Sequence, residues 1–176
     1  MKALGWIALA VASVAAVWYL VRRALLARLS RSPTAEHLGI DNTPTGKAVT
    51  RLLYIAPAMD SIRGIVRQAF PLARVSSCYR CEALNAAVGG SPTSRHLYGL
   101  GVDFGGIGDG EATLFALEIV RSQVDQVTPR PRDVLAEADH LHIDFYDPLG
   151  ELDGPESEWR ATRWRKELPS GQFASL

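Results

Sequence analysis

Residues 76–104 read SSCYRCEALNAAVGGSPTSRHLYGLGVDF, and residues 137–145 read EADHLHIDF. Apolar and polar residues alternate from Leu100 to Phe104 and from Leu141 to Phe145, which is the pattern of half-buried strands. Between the first cysteine and the first histidine, Glu82 to Ala87 suits a short helix and Gly89-Gly90-Ser91-Pro92 a turn. Working outward, Leu72 to Cys78 and Val134-Leu135 are further strand candidates, the latter paired with 141–145. Apolar residues at 114, 115, 117, 119, 120 and 124 give Ala112 to Val124 a helical period. Val49, Leu52, Leu53, Ile62, Ile65, Val66 and Phe70 recur in the same way, with Pro57 interrupting, so one broken helix or two short ones should end before Pro71. Strands and helices mixed in this order predict an α+β class with a small antiparallel sheet.

The chain has 176 residues, 47% hydrophobic and 22% charged, a composition that suits one well-buried domain rather than a disordered chain or a disulfide scaffold. Its zero net charge hides an asymmetry. Residues 1–31 hold five of the 19 basic side chains (Lys2, Arg22, Arg23, Arg28, Arg31) and none of the 19 acidic ones, which leaves the body at 14 − 19 = −5. An acidic body argues against a nucleic-acid partner. Ala3 to Val21 carry no charge, and as a helix they reach about 28 Å against a hydrocarbon core of about 30 Å. Trp6, Trp18 and Tyr19 stand at the ends, and Arg22-Arg23 follows without a small-residue cleavage site. We read residues 1–29 as an uncleaved transmembrane anchor, 30–46 as a Pro-bearing linker, 47–150 as the folded domain, and 151–176 as a surface excursion or flexible tail. Positive charge is denser after the span than before it, which by the positive-inside tendency would keep the body cytoplasmic.

Three of the four histidines, His96, His140 and His142, lie close in sequence to Asp103, Asp139 and Asp144. Side chains two apart on a strand share a face, so His140 and His142 can both look into one site. His96 and Asp103 are joined by the glycine-bearing turn Tyr98-Gly99-Leu100-Gly101. Imidazole and carboxylate ligands with one place left for water make a catalytic zinc centre; the plain alternative is a pair of satisfied surface histidines. Cys78-x-x-Cys81 brackets Arg80 and could form a disulfide, pack without chemistry, or join His140 and His142 in a structural zinc site. The glycines at 105, 106, 108 and 110 fit neither the dinucleotide fingerprint nor a phosphate loop, so a nucleotide site is rejected.

The combination of a Ser-x-Tyr-Arg turn, an Asn, Gly-Gly-Ser, S-x-H-x-x-G-x-x-x-D and a later strand ending in a histidine resembles the zinc D-Ala-D-Ala carboxypeptidase family. That family includes vancomycin-resistance D,D-peptidases and phage endolysins, and the resemblance covers roughly residues 48–147. It implies zinc on His96, Asp103 and His142, with Arg80 neutralising a substrate carboxylate or carbonyl and Ser94 helping to hold the substrate. The planar guanidinium of Arg80 suits such a role, although Ser94 could equally cap a short helix. For the general base it implies Asp139 in many members and His140 in relatives with an H-x-H strand; Glu137 is a third candidate. Strand alternation favours His140, and a bulge would be needed to bring Asp139 round. Asp144 faces solvent or orients a histidine ring. Gly101 stands where relatives often have Ala, which should only loosen the turn.

The resulting expectation is an N-terminal transmembrane helix followed by an α+β domain whose small antiparallel sheet and flanking helices surround a zinc site. Its function would be hydrolysis of a peptide bond in the peptidoglycan stem or cross-link, with Zn2+ as cofactor, peptidoglycan peptides and the membrane as partners, and the catalytic domain outside the cytoplasm. The alternative from another class is a non-catalytic wall-binding or structural domain on the same fold. A phage lysis or virion component is a further possible setting.

Overall fold

Six strands form one sheet in the order β1-β2-β4-β3-β5-β6. They are β1 (Arg74–Ser77), β2 (Gly101–Gly105), β3 (Pro131–Ala136), β4 (Leu141–Phe145), β5 (Arg163–Glu167) and β6 (Phe173–Ser175). The five helices are α1 (Lys2–Ser30), α2 (Pro33–Leu38), α3 (Gly46–Arg67), α4 (Glu82–Ala87) and α5 (Gly110–Ser122), with 3₁₀ turns at Arg95–Tyr98 and Val124–Gln126. The structure is a computed structural model that describes residues 2–153, 162–167 and 172–176.

One face of the central strands is apolar. Val102 and Phe104 of β2, Leu141, Ile143 and Phe145 of β4, and Val134 of β3 are fully buried, together with Leu52, Ile55, Met59, Ile62 and Val66 of α3 and Leu117 and Val120 of α5. Each such side chain taken from water contributes roughly 1.5–3 kcal/mol, so this layer supplies the main driving force. Strand alternation turns the intervening residues Asp103, His142 and Asp144 to the opposite face, outside the helix layer.

Several elements differ from the sequence reading. The sheet is mixed, since β5 pairs with β3 in parallel, Val134 opposite Trp164. The tail therefore widens the sheet instead of lying apart, although the part of that expectation covering 154–161 and 168–171 lies outside the described residues. The reason is electrostatic: Asp133, fully buried, receives Arg163 Nη2 at 2.6 Å and Arg165 Nη2 at 2.9 Å. Pro57 does not break α3, which runs unbroken from Gly46 to Arg67. Packing of its apolar face, and the buried pair of Arg51 with Asp147 (2.8 and 2.7 Å), offset the hydrogen bond that Pro57 removes.

The linker is also more structured than expected. Ser32 caps α2 through its side chain, Pro33 occupies the first turn, and Ala35 is buried. Among the described residues, one stretch, Ala10–Ser30 in α1, is long and apolar enough to cross a membrane. Val11, Val14, Val17, Trp18 and Tyr19 on it are exposed, while Leu29 is buried and Leu25 and Leu26 pack against the core.

Candidate metal centre

Asp103 and His142 are direct cross-strand partners of β2 and β4, and that register puts their side chains side by side on the polar face. His96 arrives from the 3₁₀ turn at Arg95–Tyr98, whose start is capped by Ser94 Oγ and whose end is turned by Gly99 at φ +73°. The chain then doubles back so closely that a Cβ on Gly101 would stand 2.9 Å from His96 N. Gly101 thus makes room for the histidine rather than loosening the turn.

Asp103 Oδ1 lies 3.1 Å from His96 Nε2 and 2.7 Å from His142 Nδ1, and donor atoms from all three residues fall within 4.8 Å of one another. The outward nitrogens are also occupied. His96 Nδ1 contacts the Cys78 carbonyl and His142 Nε2 contacts Asp144 Oδ1 at 2.9 Å. A carbonyl accepts only, so His96 Nδ1 is a donor there and Nε2 is the nitrogen turned toward Asp103. This oxygen-backed imidazole arrangement is what metal sites use to fix tautomer and ring orientation. Zinc with bonds of about 2.0–2.1 Å separates tetrahedral ligands by roughly 3.3 Å, a few tenths wider than these contacts. Two imidazoles and one carboxylate, buried and pre-aimed, therefore fit a zinc ion.

The charges follow. Burial pushes the Asp103 carboxyl up, but hydrogen bonds from His142 and His96 outweigh burial and hold it well below the usual range. Burial disfavours the charged His142 ring, yet Asp103 and Asp144 on either side raise it to about 10. Asp103 Oδ2, the oxygen the histidines leave free, takes Arg80 Nη2 at 2.5 Å, and Arg80 Nε reaches Ser77 Oγ at 2.8 Å.

His140 and Glu137 flank the centre from the β3–β4 hairpin, where Glu137 N donates to His140 O. His140 Nε2 lies 3.6 Å from Asp103 Oδ1 and 3.3 Å from Glu137 Oε2. Glu137, His140 and His142 form a second group with donors within 4.8 Å. Burial raises the Glu137 carboxyl above its ordinary value, against the pull of His140 and His142. Asp139, by contrast, is 87% exposed on the far side of His140, with Oδ1 2.7 Å from Nδ1. Ser94 spends its oxygen on His96 N–H, at 3.4 Å. Neither converging donor group among the described residues includes a cysteine; both thiols are free, Cys78 buried and Cys81 partly exposed.

The backing groups were the least readable parts of this site. The Cys78 carbonyl and the facing of Glu137 leave no mark in sequence, whereas Asp144 could be anticipated from its place two residues after His142 on the same strand face. In comparison with known families, the model described as Peptidase M15 matches residues 25–144. No curated protein matches the chain.

Proposed function

Because the chain belongs to the peptidase M15 family, we propose that it is a zinc-dependent peptidase that hydrolyses a peptide bond of peptidoglycan, the stem peptide or its cross-link. The convergence of His96, Asp103 and His142, each imidazole backed by an oxygen acceptor, carries this reading. Zinc held by these three residues supplies a Lewis acid for the scissile carbonyl and lowers the pKa of an attacking water.

The remaining work falls to the chain's own groups. His140 Nε2, next to the ligand carboxylate of Asp103, takes the proton from the water, and Glu137 beside it favours the imidazolium that results. Asp139 holds the His140 ring from outside through Nδ1, an orienting role rather than that of the base. Arg80 presents its guanidinium to a substrate carboxylate or carbonyl next to the ligand carboxylate. The Ser94 hydroxyl, although it accepts from His96 N–H, keeps its own proton to donate to the substrate. The apolar stretch of α1 anchors the chain in a membrane, with the catalytic domain on the outer side where its substrate lies.

Metal analysis together with mass spectrometry of muropeptides digested by the purified chain tests the proposal. We expect close to one zinc per chain and loss of a defined amino-acid or peptide mass. Intact muropeptides after incubation with the zinc-loaded chain would overturn it in favour of a wall-binding domain.

A further inference from the structure

Three successive backbone N–H groups fix the turn that bears Arg80, and none of them bonds within the sheet. Tyr79 N donates to Leu29 O of α1 at 3.3 Å, Arg80 N to His96 O at 3.1 Å, and Cys81 N to Asn42 Oδ1 at 2.7 Å. Asn42 is buried, 7% exposed, and its Nδ2 donates both to Ser30 O at 2.7 Å and to Tyr79 O at 2.9 Å. One amide therefore ties the last carbonyl of α1 to both ends of the Tyr79–Cys81 segment. The end of α1 is itself seated: Leu29 is 2% exposed, and Arg28 pairs with Asp60 of α3 at 3.4 Å. The family match begins at residue 25, inside α1, at the point where this packing starts.

We propose that the final turn of α1 and Asn42 are positioning elements of the substrate site, so that the end of the apolar helix is a structural part of that site. The physical argument is one of counting. Arg80 reaches Asp103 from a segment whose N–H groups make no sheet or helix bonds, and which joins α4 only through the Cys81 carbonyl, the acceptor of Asn85 N at 2.9 Å. Of the three N–H groups that locate it, His96 supports one, and α1 with Asn42 supports two. Removing the Asn42 amide leaves Cys81 N–H and the Tyr79 and Ser30 carbonyls without their partner in a partly buried place, and the cheapest relief is movement of the turn. A guanidinium displaced by a fraction of an ångström misaligns the group it binds while the zinc ligands stay in place. Asn42 acts through Arg80, so the inference rests on the assignment of Arg80 to the substrate.

The test uses the full-length chain in detergent micelles with Asn42→Ala, Leu29→Ala, Arg80→Ala and the Asn42→Ala/Arg80→Ala pair. Hydrogen exchange should quicken about ten-fold or more at the Tyr79 and Cys81 amides in Asn42→Ala, with Val102 and Ile143 unchanged. On purified muropeptides kcat/KM should fall about ten-fold, mostly through KM, at unchanged zinc content. In the Arg80→Ala background the same substitution should add less than about two-fold, since the two residues act as one unit. Leu29→Ala loosens the helix end without touching the buried amide and should reproduce the pattern more weakly. Wild-type protection in Asn42→Ala, a loss that multiplies with that of Arg80→Ala, or a loss of zinc would each overturn the inference. If the wild-type chain cleaves nothing, the peptidase reading fails, and the exchange measurement still decides whether α1 and Asn42 hold the turn.

Discussion

Asp103 divides its two oxygens between two tasks, one facing both imidazoles and the other facing Arg80. Asp103→Ala should therefore remove zinc and also release Arg80, as should His96→Ala for zinc alone. Zinc content equal to wild type in the His96→Ala/Asp103→Ala variant, measured by elemental analysis, would refute the ligand assignment. Proton transfer is separable from metal binding. His140→Ala should retain zinc and lose roughly 100-fold or more in turnover, while Asp139→Asn should lose less than about ten-fold. Glu137 is raised by burial, so it keeps its proton to a pH above the ordinary 4.5 and becomes useful to His140 only when ionised. The rate should thus climb with pH through a value above 4.5, and Glu137→Gln should displace that limb. An identical pH–rate profile in the variant would take Glu137 out of proton transfer. Burial pushes the Cys78 thiol up to about 12, so it stays a neutral thiol near neutral pH. Iodoacetamide should label Cys81 in the folded chain and leave Cys78 unlabelled until denaturant is added, which peptide mapping would show.

At the scale of elements, the alternation in 100–104 and 141–145 made β2 and β4 legible, and α4 was readable to the residue. Their register was not, because Asp103 and His142 are separated by a helix and a hairpin, and only the closed sheet sets them opposite each other. Candidate ligands could be read as a set, but the pairing that brings them together could not. Strand β5 reads Arg-Trp-Arg-Lys-Glu, with none of the apolar alternation that marks a strand. It holds its place through Arg163 and Arg165 on the buried Asp133. Two signals for α2, a serine cap and a proline in the first turn, were present in the supposed linker and outweighed by the prolines around them. Arg163→Ala/Arg165→Ala leaves Arg132 as the remaining partner of a buried carboxylate. It should cost about 3 kcal/mol, lowering Tm by roughly 10 °C in calorimetry. A Tm within about 2 °C of wild type would show that β5 contributes little to the domain.

For the whole molecule, the packing of α1 on the body begins within the helix, near Leu25, and not at the helix end. Deleting residues 1–21 should release the chain into the soluble fraction with its zinc content intact, since nothing in the core is lost. Persistent sedimentation with membranes after that deletion would refute the anchor. For the proposed membrane-anchored peptidase, the docking of α1 would also set how far it can work. A flexible run of the 16 residues 31–46 would let a domain wander by about 20–24 Å in every direction. Here Pro33–Leu38 of that run is helical, and Asn42 and the Arg28–Asp60 pair tie the end of α1 to the body. On the reading proposed above, a peptidase mounted in this way would have a fixed working height: it would trim polymer that comes to the membrane and leave more distant strands untouched, whatever their chemistry.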